Sequence, residues 1–245
     1  MSKITNPNLI APLRAVNLID STKKAVIFWD TCALLDIVRL PIRNGKVNAL
    51  KNIIEIKDRI IANDVVSLSS KLCVDEFNNN IDSAITSLQV ELKKTSNFYN
   101  SFVDYINELS ISATTIAHVD FSLYKLDDQL VQIVNAIIQR TYFVEEHDSY
   151  GQFAHFRLTQ KIAPAKVKGE YKDCYIWGTC LDIRKNSVDK TYSYNFLSSN
   201  VSDYADSTKV KFADEILYDA NNYDITFFPN FGIAYGNLKQ AGIII

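Results

Sequence analysis

Apolar positions along the chain follow two alternating spacings, which predict strands interleaved with helices. Short apolar runs rich in β-branched and aromatic residues are typical of strands buried on both faces, and they occur at 25–30, 64–70, 194–199 and 224–229. Helical spacing of apolar positions predicts helices at 31–40, 47–62, 71–81, 81–109, 121–140, 170–185 and 207–220. Strands alternating with helices predict an α/β fold with a central, mainly parallel sheet flanked by helices.

Two segments lack such a pattern. Residues 1–22 are polar and contain Pro7 and Pro12, so we expect a loosely structured lead-in. Residues 141–170 have no clear period and predict a long loop or a mixed segment. Since no repeat or low-complexity tract divides the remainder, residues 23–245 are predicted to form a single domain.

Composition narrows the class of protein only a little. The 245 residues carry a formal net charge of −2, which is not typical of a strongly basic nucleic-acid binder, although a local patch is enough to bind phosphates. The four cysteines form no C-x-x-C pair and the histidines lack zinc-ligand spacing, which favours buried free thiols in a reducing cytosol. No apolar stretch reaches the ~18 residues of a membrane span. With no apolar signal core at the N-terminus, we expect a cytoplasmic protein.

Four acidic residues follow the predicted strands in a way that suggests a common site. Asp30 closes the first strand, and Glu76 lies in the first turns of the helix after the second strand. Asp173 lies near the start of the 170–185 helix, and Asp203 comes just after the third strand. Because the carboxyl ends of parallel strands meet at one edge of the sheet, we expect these side chains to converge there.

Convergent carboxylates predict a divalent cation. Carboxylates packed together repel each other, and one is forced to take up a proton unless a cation is present. Mg²⁺ and Mn²⁺ prefer oxygen ligands, and one or two such ions activate water and hold a phosphate. Taken singly, each acid also fits a helix cap, a turn or a solvated surface; it is their joint order that favours a site.

Four stretches, in order, resemble the motifs of PIN-domain nucleases. VIFWDTCALLDI has the Asp-Thr after a first strand, and VVSLSSKLCVDEF has a second strand followed by a helix that carries a glutamate. KGEYKDCYIWGTCLDI has a Lys-Gly followed by an acidic helix, and YNFLSSNVSDY has a strand that ends in hydroxyl residues. The resemblance covers about 25–90 and 165–230, and it places a helical family insertion at about 91–165. It implies a three-layer PIN-like fold and an endoribonuclease that hydrolyses single-stranded RNA with Mg²⁺ or Mn²⁺.

The resemblance also implies roles for particular residues. The catalytic and metal-binding acids would be Asp30, Glu76, Asp173 and Asp203. Thr31 and Ser199 would support them by hydrogen bonds. Many relatives have an acid where this chain has Asn200, so either Asp203 or Asn200 fills the fourth position. Asp75 adjoins Glu76 but points about 100° away on a helix, which favours Glu76.

A basic segment before Asp173 is a candidate for substrate binding. Its cations are Arg157, Lys161, Lys166, Lys168 and Lys172, and several aromatic residues lie among or beside them. Cations meet phosphates and aromatic rings stack on unpaired bases, so we expect part of an RNA channel here. A solvated loop packed by its own aromatic residues fits the same pattern.

Other functions remain open from the sequence. A PIN-like scaffold or regulatory protein would need no metal, and a structure-selective DNase would use the same metal chemistry. A two-aspartate phosphatase would need an acid where Cys32 stands, and no G-x-x-x-x-G-K loop is present for nucleotide hydrolysis. By resemblance, a toxin-like role with an antitoxin or other regulatory partner, a role in RNA processing or defence, and a homodimer are all open.

Overall fold

The sheet of this protein contains six parallel strands. In the computed structural model, which describes residues 3–43, 47–109, 111, 114–167 and 169–244, the strand order is β1-β4-β3-β2-β5-β6 and every neighbouring pair is parallel. The strands are β1 (Asn8–Ile10), β2 (Ala25–Trp29), β3 (Val65–Ser70), β4 (Tyr142–Val144), β5 (Tyr194–Leu197) and β6 (Ile225–Phe228).

Helices flank this sheet as in a three-layer PIN-like fold, which confirms the predicted fold class. They are α1 (Pro12–Thr22), α2 (Thr31–Arg39), α3 (Val47–Ile61), α4 (Lys71–Glu108), α5 (Leu126–Ile138), α6 (Asp148–Gln160), α7 (Tyr171–Asn186), α8 (Val201–Tyr204), α9 (Asp214–Asn222) and α10 (Phe231–Gln240). One packed group contains α2, α3, α4, α5 and α10, and another contains α1, α6 and α7. In the part of the chain that the structure describes, no helix is long and apolar enough to cross a membrane.

The central strands form because their residues suit complete burial. Every residue of β2, β3 and β5 is buried, as expected for the middle of a parallel sheet. Aromatic residues fill the layer between strands and helices: the Trp177 ring lies edge-on to Phe196 with 5.4 Å between ring centroids. Trp177 and Cys180 are both fully buried in this layer.

The predicted lead-in is wrong, because the N-terminal residues belong to the sheet. Strand β1 pairs with β4 at the edge, and α1 follows it with Pro12 in the first helical turn, where a missing N–H costs nothing. Ala15 and Ile19 of α1 are fully buried. A three-residue strand is too short to show a period, and a proline at the start of a helix was interpreted as a sign of a loop.

Three further boundaries differ from the predictions. Residues 141–170 hold β4 and α6 rather than a long loop, and α4 runs unbroken through the boundary predicted at 81. Only the second half of the 207–220 helix forms, as α9. The long helix α4 corresponds to the predicted helical insertion. The bounds proposed for that insertion, 91–165, and the extent of the domain stay predictions.

Candidate active site at the carboxyl edge of the sheet

Asp30 is fixed where β2 turns into α2. It caps this helix, since its Oδ1 accepts a hydrogen bond of 2.8 Å from the backbone N–H of Thr31. Its Oδ2 accepts a second bond of 2.6 Å from the hydroxyl of Ser198, just beyond β5. The side chain is only 1% exposed, so the junctions of two neighbouring strands hold one buried carboxylate.

Glu76 reaches the same place from the start of α4. Ser70, the last residue of β3, caps this helix through the N–H of Cys73 and so sets where its first turns lie. The hydroxyl of Thr31 donates a bond of 2.9 Å to Glu76 Oε2. Asp75 instead accepts an ion-pair bond of 2.7 Å from Lys71. Of the two adjacent acids, therefore, Glu76 lies at the strand ends.

Asp173 and Asp203 come from the two helices on the other side of the edge. Asp173 lies in the first turn of α7, and its Oδ2 accepts a bond of 3.0 Å from the amide of Asn200. The hydroxyl of Tyr204 donates to the backbone carbonyl of Asp173 at 2.9 Å, which ties α8 to α7. Asp203 lies in α8 and is 3% exposed. Asn200 and Asp203 thus both lie beside Asp173, and the geometry does not choose between them.

The electrostatics show that the four acids influence one another. Burial raises the pKa of Asp173 to about 8, and the charges of Asp30, Asp203 and Glu76 add to the rise. Burial also raises the pKa of Asp30 to about 6, with the hydrogen bond from Ser198 opposing the rise and the charge of Glu76 adding to it. Near neutral pH the cluster therefore cannot hold all its negative charge without a proton or a cation.

The donor set fits Mg²⁺ or Mn²⁺ in one particular way. All four side chains offer oxygen, the atom that these ions prefer. Among the residues that the structure describes, no three His, Cys, Asp or Glu side chains are grouped closely enough to hold a metal ion by themselves. Mg²⁺ usually binds through one or two carboxylates and keeps several waters, so the acids suit a largely hydrated ion rather than a closed cage.

The serine that bonds Asp30 is Ser198, one residue before the serine that the resemblance implies as a supporting residue. The register pairs Trp29 of β2 with Leu197 of β5, so the next residues, Asp30 and Ser198, lie side by side. Ser199 is displaced from this contact and lies near Asp36, where burial raises the pKa of the carboxyl and the Ser199 hydroxyl opposes that rise. Aligning the two apolar runs end to end would have identified Ser198, since both runs finish at the same edge.

Two cations of the basic segment pair with acids of α9, and the substrate-binding role of the segment stays a prediction. Arg157 is 5% exposed, and its guanidinium donates to Asp219 and to the backbone carbonyl of Ala163, so it joins α6 to α9 inside the protein. Lys166 pairs with Glu215.

Two of the remaining lysines differ in what surrounds them. Lys161 ends α6 in the left-handed conformation and is exposed. Lys172 lies 3.4 Å from Glu76 at the acidic edge. Lys168 lies outside the described residues. Among the four of these cations that the structure describes, Lys172 is therefore the one that lies against a site acid.

The fold and this edge define a class: α/β proteins that gather acidic side chains at the carboxyl ends of parallel strands. A family model described as PIN domain matches residues 27–204, which is more than half of the chain, and the chain belongs to the PIN domain family. PIN domains are generally nucleases, and these typically use divalent metal ions. No curated protein and no solved structure gave a match. The matched range contains all four acids.

Proposed function

We propose that this protein is a metal-dependent endoribonuclease that hydrolyses phosphodiester bonds in single-stranded RNA. The observation that carries the proposal is the burial of Asp173 beside three other acids, and burial together with their charges raises the pKa of its carboxyl. A fold gains no stability from buried carboxylates that repel each other. Such a cluster is explained by a function that supplies a compensating cation.

The acids divide into two roles in this proposal. Asp30, Asp173 and Asp203 are buried and would face a largely hydrated cation that one or two of them bind directly, with Asn200 orienting Asp173. Glu76 is partly exposed and bonded to Thr31, which suits it to position the attacking water. A bound Mg²⁺ or Mn²⁺ lowers the pKa of water and stabilises charge on the phosphate.

The surroundings of Asp173 support a single-stranded substrate. Lys172 is half exposed beside Glu76, where its ammonium group can meet a phosphate. Tyr171 is 41% exposed, and its ring offers a face for an unpaired base. The four free thiols suit a reducing compartment, so we propose that the enzyme acts in the cytoplasm. A homodimer and an antitoxin or other regulatory partner stay predictions.

The test uses labelled single-stranded RNA and DNA with Mn²⁺, with Mg²⁺ or with excess EDTA. Glu76→Gln and Asp75→Asn form a matched pair, because the residues are adjacent but only Glu76 lies at the strand ends. We expect metal-dependent RNA cleavage that is lost in Glu76→Gln and kept in Asp75→Asn. Cleavage of DNA alone would establish a DNase. No cleavage and no metal binding by calorimetry would establish a scaffold.

A further inference from the structure

A cavity of about 360 Å³ lies beside the acidic edge. It is enclosed by α2, α3, the end of β5 and the start of α10. Its apolar walls are formed by Ala33, Leu40, Ala49, Leu197 and Phe231. None of the four site acids lines it, so the cavity is a separate feature from the cluster that the proposed chemistry uses.

Polar groups on one wall of this cavity lack partners. Asp36 is 8% exposed, and its Oδ2 accepts a bond of 2.6 Å from Arg43. Neither Asp36 Oδ1 nor the hydroxyl of Ser199 makes a hydrogen bond of ordinary geometry, although the two lie close enough for Ser199 to lower the pKa of Asp36. Buried polar atoms without a partner are costly, so each needs an explanation, and a ligand with an N–H donor would supply one.

The cavity adjoins the acidic edge, and three consecutive residues after β5 connect the two. Ser198 donates to Asp30, Ser199 lines the cavity, and Asn200 donates to Asp173. A second cleft shares Arg43 and Ser199 with the cavity and continues along Cys32, Asn200 and Ser202. A ligand in the cavity would therefore lie next to whatever the acids bind.

We propose that this cavity binds one nucleobase of the RNA, from the nucleotide adjoining the cleaved bond. This inference rests on the proposed function and names a recognition site for it. The mainly apolar lining suits a base, and a few polar groups fix its orientation. Asp36 accepts a hydrogen bond from an exocyclic amino group, and Arg43, half exposed at the mouth, meets the phosphate of the same nucleotide.

The first test measures binding without catalysis. The full chain in EDTA is titrated with GMP, AMP, CMP and UMP by ligand-observed NMR. We expect the three bases that carry an amino group to bind about fivefold or more tightly than UMP. Ala49→Phe fills the cavity and should abolish binding, whereas Val47→Phe, on the same helix but outside the cavity and 71% exposed, should not. No binding to the unaltered protein, or equal binding by both variants, overturns the inference.

A second variant covers the case in which Ala49→Phe fails to fold. Asp36→Asn keeps the shape of the side chain but exchanges one acceptor oxygen for a donor. We expect it to bind UMP about as well as GMP, because the preference for an amino group depends on the carboxylate. An unchanged preference for GMP overturns the role of Asp36.

The activity test separates this inference from the proposed function. An RNA with one abasic nucleotide beside the cut should be cleaved about tenfold more slowly than the intact RNA, since a bound base contributes that much. Ala49→Phe should cleave both RNAs at the same reduced rate. Nucleotide binding without any RNA cleavage would support the base site and overturn the proposed nuclease function. Cleavage that ignores the abasic nucleotide in the unaltered protein overturns the base site.

Discussion

Charged side chains are buried at the carboxyl edge of the sheet, whereas apolar side chains are exposed along the outer half of α4. Asp30 and Asp173 are 1% and 8% exposed, but Phe98 and Tyr105 are 67% and 69% exposed. Each arrangement reverses the usual distribution of polar and apolar groups. At the carboxyl edge, the burial of neighbouring acids costs electrostatic free energy. In the outer half of α4, apolar side chains outside the main core stay in contact with water.

The outer half of α4 is held in a different way from the edge. Its exposed apolar stripe consists of Phe98, Phe102, Tyr105 and Leu109. The opposite face holds residues 114–124 through amides that bond the backbone: Asn100 bonds Val119 in both directions, at 2.9 and 3.0 Å. Buried Val103 lies outside the main core cluster. A few hydrogen bonds, rather than shared core packing, therefore order this region.

The largest effect is expected when one member of the acidic cluster is neutralised. Asp173→Asn should lower RNA cleavage roughly a thousandfold or more, because the group that holds the cation is lost. Above about pH 8, the same change should raise the thermal midpoint in EDTA, since it removes a buried carboxyl that would be charged there beside its acidic neighbours. Gel cleavage assays and thermal unfolding measure the two. A lower midpoint would show that the cluster stabilises the fold.

Replacing one phenylalanine in the core and one in the outer half of α4 compares what each ring contributes to the free energy of unfolding. Phe28→Ala should cost about 3–5 kcal/mol of unfolding free energy, since the ring is fully buried in β2. Phe102→Ala, at 53% exposed, should change it by no more than about 0.5 kcal/mol. Denaturant unfolding measures both. A large cost at Phe102 would mean that the apolar stripe is covered in solution.

The pH dependence of stability tests the raised carboxyl pKa values. Without a divalent ion the folded protein binds more protons than the unfolded chain between the ordinary pKa of 3.8 and the values of about 6 for Asp30 and about 8 for Asp173. The free energy of unfolding should therefore fall as pH rises through that window. Mn²⁺ should raise the thermal midpoint more at pH 8 than at pH 6. An equal gain at both would contradict the buried charge.

The smallest effect is expected in the outer helix. Asn100→Ala should lower the global unfolding free energy by only about 1 kcal/mol. Because it removes both bonds to Val119, amide hydrogen exchange should accelerate in residues 114–124 and stay unchanged in β2 and β3. Exchange measured by mass spectrometry resolves the segments. Acceleration throughout the sheet would show that the outer helix and the core unfold together.

The sequence predicted the four strands that have four or more residues, and three of them, β2, β3 and β5, are buried throughout. The continuous apolar runs of β2 and β5 carry a strong local signal. The strands β1 and β4 have three residues each, and their pairing depends on distant partners that no local pattern reveals. The last helix, α10, follows β6 and is capped by Asn230, a start signal that apolar spacing alone does not reveal.

The site could be predicted only as far as chain order determines it. Asp30 and Glu76 follow strands directly, so parallel topology brings them to one edge. The contact of Ser198 with Asp30 depends on the register between β2 and β5, which the local sequence does not determine. Arg157 has the appearance of a surface cation until its burial and its bond to Asp219 are known.

Asp30 caps helix α2, and Asp36 lies on the second turn of the same helix. A helix rises about 1.5 Å per residue and bends little over such a length, so these two carboxylates keep a fixed separation of about 9 Å along its axis. If one marks the cut and the other selects the base, the helix acts as a ruler. The enzyme would then cut at a constant offset from the base that it selects, and inserting one residue into α2 would move or abolish that offset without altering either group.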